Sequence, residues 1–474
     1  MANPYAILAF RRFQKINERA IPMKRTPISR RTFAKAALAA SIAPTIIPTR
    51  AWGSDTTPPP SERINVGIIG LGGLGMGHVG RFLQAEGSQV VAVCDVQAEH
   101  YRDQEWGKRT PCGRDAGKAV AEDFYGEQMR SGAYKGCDTY SDFREICARE
   151  DIDAMVIATP DHWHARICLE ALRNGKDIYC EKPVTHLFHE GQLIVAEVAK
   201  RKAIFQVGSQ QRSDRGFRRC VEIVQNGHIG KIKHIEVGLP QGFNEPQGDP
   251  TITDPPENLD YEFWCGPSEA LPYMRARHHR AWRWHRTYGG GQLMDWIGHH
   301  NDIAHWGAGL ERTGPIEVET PGTWTWSKFE GYNTPVDYEI WSRYANGVTI
   351  SISTQHAGGA KWIGEDGWVG GNRGQRQGSN DTWFAKDFNP GPIKAYESND
   401  HTANFLDGVR TCKECIAPAE IGHRSITPGH LGYVAVTLGR KLQWDPETET
   451  VVGDEEADKM LKAVDYRGPW SLDA

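Results

Sequence analysis

Ile64-Asn65-Val66-Gly67-Ile68-Ile69-Gly70-Leu71-Gly72-Gly73-Leu74-Gly75-Met76 is the stretch on which the fold turns. Residues 64–69 read as a strand, three glycines follow at spacing i, i+2 and i+5, and a helix is expected from about Met76 to Ala85. Glycines so spaced let the chain turn tightly and let its backbone approach a pyrophosphate. The helix that follows turns free N–H groups and the positive end of its dipole toward those phosphates. A second strand, Gln89 to Cys94, ends in Asp95, 20 residues beyond Gly75. A carboxylate there accepts hydrogen bonds from an adenosine ribose and repels the 2′-phosphate of NADP, so NAD is the expected cofactor.

Outward from this unit the alternation continues. Asp153 to Ala158 is an apolar strand running into Thr159-Pro160, and Asp161-His162-Trp163-His164 opens a helix. Asp177 to Cys180 is another strand, ending at Glu181-Lys182-Pro183. Strands alternating with helices make a parallel sheet covered on both faces, and ligands bind at its carboxyl edge. The connection between Asp95 and Tyr140, residues 96–139, is long and is expected to shape an entrance to the site.

With GLGGLG at 70–75, TPDHWHA at 159–165, EKP at 181–183 and GGGQLMDWIGHHNDIAHW at 289–306, the chain resembles the Gfo/Idh/MocA family from about residue 63 to 440. That family includes glucose–fructose oxidoreductase and inositol dehydrogenase. The resemblance implies an α/β protein: a doubly wound Rossmann domain, then an α+β domain with a large, mostly antiparallel sheet. The second domain would carry the substrate pocket and the contact surface of a homo-oligomer. By the same resemblance Lys182 binds the reacting hydroxyl, Asp295 orients the site and His299 is the general base. Gly70, Gly72, Gly75, Asp95, Thr159, Pro160, His164, Glu181 and Lys182 are the expected cofactor contacts.

The residues themselves support this chemistry. Asp295 and His299 stand four apart, a spacing that puts both on one helix face, where the carboxylate could hold the ring. Removal of hydride from a carbinol carbon also needs a base for the hydroxyl proton. His300 adjoins His299 but faces elsewhere on a helix, which favours a base over a metal pair, and no metal is expected. Gln210, Arg212, Arg283, Trp284 and His300 are candidate substrate contacts, because sugars bind aromatic faces and bidentate polar groups. Asp302 is a candidate supporting acid, and Arg277 to Arg280 read as a basic loop.

Further along, Lys231 to Leu239 reads as a strand, and Tyr338 to Tyr344 with Val348 to Thr354 as a hairpin around Asn346-Gly347. Residues 358–395, rich in Gly, Asn and Asp, read as a long loop, and Asn404 to Arg410 as a helix. The polar tail beyond about 445 is expected to wrap the surface.

Near the start, Ser29-Arg-Arg-Thr-Phe-Ala-Lys35 precedes the small, apolar run Ala36 to Ile47, the layout of a twin-arginine export signal. Met23-Lys-Arg is a natural start for it, which would put residues 1–22 upstream of the true start. The domain plan is therefore a signal region at 1–53, a linker at 54–62 containing Pro58-Pro-Pro60, the Rossmann domain at 63–185, the substrate domain at 186–445 and a tail at 446–474. Export of a folded protein by the twin-arginine machinery would put it in the periplasm, with NAD loaded beforehand and tightly held.

A net charge of -5 argues against nucleic acid as a partner, and no apolar run reaches membrane-spanning length. Ten dispersed cysteines form no disulfide framework, and Cys412 and Cys415 stand as an isolated pair. Sixteen Trp and 51 Gly suit an aromatic-walled carbohydrate pocket. The expected function is oxidation of a sugar, sugar derivative or polyol. Glycoside cleavage through transient oxidation, and non-catalytic sugar sensing, are the alternatives.

Overall fold

In the computed structural model, residues 62–101, 109–129, 132 and 134–472 are described. The expected twin-arginine signal region, residues 1–53, and residues 54–61 of the expected linker lie outside them. Strands β1 (Ile64–Ile69), β2 (Ser88–Cys94), β3 (Asp138–Tyr140), β4 (Ala154–Ile157), β5 (Asp177–Cys180) and β6 (Phe205–Val207) form a parallel sheet in the order β3-β2-β1-β4-β5-β6. All four residues of β4 are buried, as strands covered on both faces must be. The covering helices include α1 (Gly73–Gln84), α2 (Arg114–Glu127), α3 (Asp161–Arg173) and α4 (Phe188–Arg201). The strand order reverses between β1 and β4, and the crevice at such a switch point is where open sheets bind ligands. Helix α1 begins three residues earlier than the sequence suggests, because the glycines themselves form its first turn. The parallel layer also runs on to Val207, past the boundary at 185 drawn from the sequence.

Helix α5 (Arg215–Gln225) leads into a nine-stranded sheet. Its strands are β7 (Ile232–Gly238), β8 (Glu317–Glu319), β9 (Glu339–Arg343), β10 (Thr349–Ser353), β11 (Gly359–Gly364), β12 (Trp368–Asn372), β13 (Gln375–Gly378), β14 (Leu442–Asp445) and β15 (Thr450–Val451). They lie in the order β13-β12-β11-β7-β10-β9-β8-β14-β15, antiparallel throughout except where β7 meets β10. The β9–β10 hairpin turns at Gly347, whose φ of 85° needs a residue without a side chain. Helix α6 (Gly291–Ala308) lies on this sheet, and the Trp362 indole donates to the Ala304 carbonyl at 3.1 Å. One hydrophobic core holds Ile157 and Cys180 of the parallel sheet together with Ile235 and Trp362 of the second. Helix α7 (His401–Thr411) starts earlier than expected because Asp400 caps it, accepting from Ala403 N at 2.9 Å.

Two expectations fail here. Residues 358–395 are not one long loop, since three strands of the large sheet lie within them. Their glycines serve close packing: a side chain at Gly371 would come within 3.3 Å of Cys220 Sγ on α5. Nor does the tail merely wrap the surface. Following α8 (Ala419–Leu438) and β14, it supplies β15 to the sheet, then α9 (Glu455–Lys462), and Trp470 packs edge-on against Trp163 at 4.8 Å. No helix among the described residues is long and apolar enough to cross a membrane.

Candidate active site

The three loop glycines do different things. Gly70 adopts φ 88°, and a Cβ there would sit 2.7 Å from the backbone of Ala158 and Thr159 at the end of β4. At Gly75 a Cβ would collide with the Gly70 carbonyl, so this glycine lets α1 pack on β1. A Cβ at Gly72 would meet nothing within 4 Å, since this position opens on the cavity. Gly72 also caps α1 without any side-chain hydrogen bond, leaving first-turn N–H groups for an anion. The residues present therefore fit a dinucleotide pyrophosphate.

Asp95, at the end of β2, accepts from Leu71 N at 2.6 Å and Gln97 N at 2.8 Å. Burial pushes its carboxyl above the ordinary range, with those two N–H groups and Arg114 pulling against it. The carboxylate thus braces the glycine loop as well as facing the cavity. From here a cavity of about 540 Å³ runs past Thr159 and Pro160 to Glu181, Lys182, Arg283 and Asp295, a size within the usual range for small-molecule sites.

Charges are concentrated at that far end. Lys182 Nζ donates to the Asp295 carbonyl at 2.8 Å and to its Oδ1 at 2.9 Å, and Arg283 Nε donates to the same oxygen at 2.8 Å. Burial would raise the Asp295 carboxyl, but the two cations outweigh it and hold the group well below its usual range. Glu181, on the loop after β5, is bonded by His78 Nε2 and Gln210 Nε2, both at 2.8 Å. There too burial is outweighed, by His78 and Lys182, and the carboxylate stays ionised. Gly208 makes room for it: a Cβ would lie 2.6 Å from Glu181 Oε1.

His299 shares α6 with Asp295, yet no hydrogen bond joins them among the described residues, which corrects the expected Asp–His pairing. The carboxylate is turned to Lys182 and Arg283 instead. Burial, then the charges of Lys182 and Arg373, drive the His299 imidazole well below its ordinary pKa, so it is neutral. Its Nδ1 is buried without a partner, and unlike Lys182 and Asp295 the residue does not line the cavity. His300 points elsewhere: its Nδ1 lies 2.7 Å from the Gly238 carbonyl on β7 and 3.1 Å from Gly359 N on β11. It ties the helix to the sheet.

Several candidates are structural in their contacts. Arg212 is 1% exposed, forks onto Asp302 at 2.6 and 2.9 Å, and also pairs with Glu311. That corrects its assignment as a substrate contact and shows what Asp302 holds. Trp284 is buried against Phe243 and Tyr332 and does not line the cavity. Gln210 supports Glu181 and also bonds the Tyr179 hydroxyl at 3.2 Å. His164 lines the cavity, but its ring nitrogens face the carbonyls of Pro183 at 2.8 Å and Thr159 at 3.0 Å, bracing the two loops.

Other lining residues escaped the sequence reading. Asp161, in the first turn of α3, is buried, and burial pushes its carboxyl far up while Arg283 pulls it down. Its place in the TPDHWHA motif was the available signal. From residues 96–139, Val96, Gln97, His100 and Tyr101 line the cavity, so this connection does shape it. The basic stretch at 277–280 is not a solvated loop: His278 and His279 line the wall, and His279 stacks on His100 at 3.9 Å. All ten cysteines are free, and no cluster of three His, Cys, Asp or Glu among the described residues is arranged to hold a metal.

Two family models match this chain. Residues 64–209 match an oxidoreductase-family NAD-binding Rossmann fold, and 218–472 match an oxidoreductase-family C-terminal alpha/beta domain. The inositol 2-dehydrogenase of Gluconacetobacter diazotrophicus is 31% identical over 173 residues, 36% of this chain and 43% of that protein. The chain thus spans less than half the length of this relative. Among solved structures, aldose-aldose oxidoreductase from Caulobacter crescentus is 17% identical with a TM-score of 0.55, covering 80% of this chain and 99% of the other. The myo-inositol dehydrogenase from Lactobacillus casei, in complex with NAD(H) and myo-inositol, is 16% identical with a TM-score of 0.53, covering 83% and 99%. At such identities the likeness is one of fold.

Proposed function

The chain belongs to the Gfo/Idh/MocA oxidoreductase family, and from that premise we propose that it oxidises a carbinol carbon of a sugar, sugar derivative or polyol. The observation that carries the reading is Lys182 bridged to Asp295, at the end of the same cavity that begins on the Gly70–Gly75 loop. NAD, when bound, supplies the hydride acceptor. Lys182 donates a hydrogen bond to the reacting hydroxyl, and with Arg283 it stabilises the negative charge that grows on that oxygen. Asp295, held ionised, fixes both cations in place. His299, a neutral ring one helical turn from Asp295 and behind the cavity wall, is assigned the hydroxyl proton.

The same reading includes twin-arginine export with NAD already bound and slowly released. Protein purified from the periplasm is incubated with a panel of sugars and polyols, inositol among them, while NADH absorbance is followed. It is then denatured and its supernatant assayed for NAD. The expected result is co-purifying NAD and NADH formed in proportion to enzyme. Many turnovers of added NAD by a protein that carries none would overturn the retained cofactor. No oxidation of any carbinol would overturn the activity.

A further inference from the structure

Away from the dinucleotide cavity, and sharing no lining residue with it, lies a second pocket of about 330 Å³. Its wall includes His186, Arg286, Trp326, Asn333, His430 and Tyr433. Arg286 is half-buried and stacks over the Tyr433 ring at 3.7 Å, with no carboxylate paired to it among the described residues. Two ring nitrogens, His186 Nε2 and His430 Nε2, are buried without a hydrogen-bond partner, and His430 is 8% exposed. Apart from burial, the influences on His430 come from His423 and Arg286, so no carboxylate offsets the cation there. Trp326, in the same wall, is 45% exposed.

These features fit together. A half-buried guanidinium without an acid and two orphaned imidazole nitrogens are costly unless something accepts their hydrogen bonds. An oxyanion does so, because a carboxylate or phosphate offers acceptors to the arginine fork and to an imidazole N–H at once. The exposed Trp326 indole would cover the apolar body of the molecule that carries the anion. We propose that this pocket is a second binding site, for a small molecule bearing a carboxylate or phosphate group. Its walls adjoin the catalytic segments. Arg286 lies three residues from Arg283, His186 four from Lys182, and the Tyr433 hydroxyl donates to the Gly290 carbonyl at 2.8 Å, just before α6.

The test is calorimetric titration of the NAD-saturated protein, so that the pyrophosphate site is already filled, with inorganic phosphate and separately with malonate. Saturable binding of at least one anion is expected, and the tighter of the two identifies the headgroup. Arg286→Gln should weaken it roughly tenfold or more, the loss expected for one charge-assisted contact. Retained NAD binding certifies that this variant is folded. His430→Ala, which leaves the cation in place, should weaken it severalfold, whereas Lys182→Met should leave it unchanged. No saturable binding of either anion, undiminished binding in R286Q, or loss in K182M alone would overturn the assignment.

Discussion

Asp295 offers one carboxylate oxygen to two cations, and this sharing decides what the neighbouring histidines can do. With its charge spent on Lys182 and Arg283, it leaves His299 as a neutral, unpaired ring. His299→Ala should therefore lower kcat by about a hundredfold to ten-thousandfold, the range of a lost general base, while NAD still binds. His300→Ala should act differently. It removes the link between Gly238 and Gly359, so the loss should be about 1–3 kcal/mol of stability with kcat less affected. Kinetics and urea unfolding of both variants separate the roles, and the reverse pattern would move the base by one residue. Asp95 has a double function in the same sense. Asp95→Ser should bring the KM values for NAD and NADP closer together, because the repulsive charge is gone. It should also raise the KM for NAD by roughly tenfold, since Leu71 N loses its acceptor and the loop loosens. A wild type that prefers NADP would contradict this reading.

Whole elements were legible in the sequence where their burial is written in consecutive residues. β4 and β5 are short apolar runs ending at polar loops, so strand, loop and ligand edge could all be read. The second sheet hides its strands. β11 and β12 carry Gly359, Gly364, Gly370 and Gly371, which look like loop residues, yet Gly371 lets the sheet touch α5, Gly359 and Gly370 lie close to the neighbouring strand and Gly364 to Ile229, while Trp362 and Val369 supply the burial. Arg212 and Trp284 were misread for a related reason. Their partners, such as Asp302 ninety positions away, cannot be seen from neighbours in the chain. The α6 contact is testable. A Cβ at Gly307 would sit 2.6 Å from the fully buried Trp362 ring, which has no room to swing away. Gly307→Val should then cost about 1–3 kcal/mol in urea unfolding, the usual penalty of overpacking. It should also lower kcat, because α6 carries Asp295 and His299. Wild-type stability would show that helix and sheet are less tightly fitted than this.

At the scale of the whole molecule, the unusual feature is how many imidazoles the fold keeps neutral. Burial lowers His162, His285, His300 and His401 to about 4 and His305 and His430 to about 3, lowers His234, and drives His186, His278, His279 and His299 well below 6.5. In the unfolded chain each would take up a proton near pH 6.5. Below that pH the unfolded state binds more protons than the native one, so stability falls as pH falls, by up to about 1.4 kcal/mol per unit for each such group. Some carboxyls oppose this. Burial raises Glu190 to about 7, so the fold holds a proton there that the unfolded chain has released between about pH 5 and 6.5, and it raises Asp95, Asp161, Asp177 and Asp302 in the same sense. The depressed carboxyls, Asp295 and Glu449 (about 2), add their own loss only once the pH drops below the ordinary carboxylate range. Eleven lowered imidazoles, against these acids and the raised His164, leave a net loss of stability between pH 6.5 and 5. The melting temperature, measured with NAD saturating at each pH, should be clearly lower at pH 5 than at pH 7, with the fall steepening from pH 6.5 towards pH 5. An equal or higher value at pH 5 would mean that water or a bound anion reaches these rings and lets them charge inside the fold.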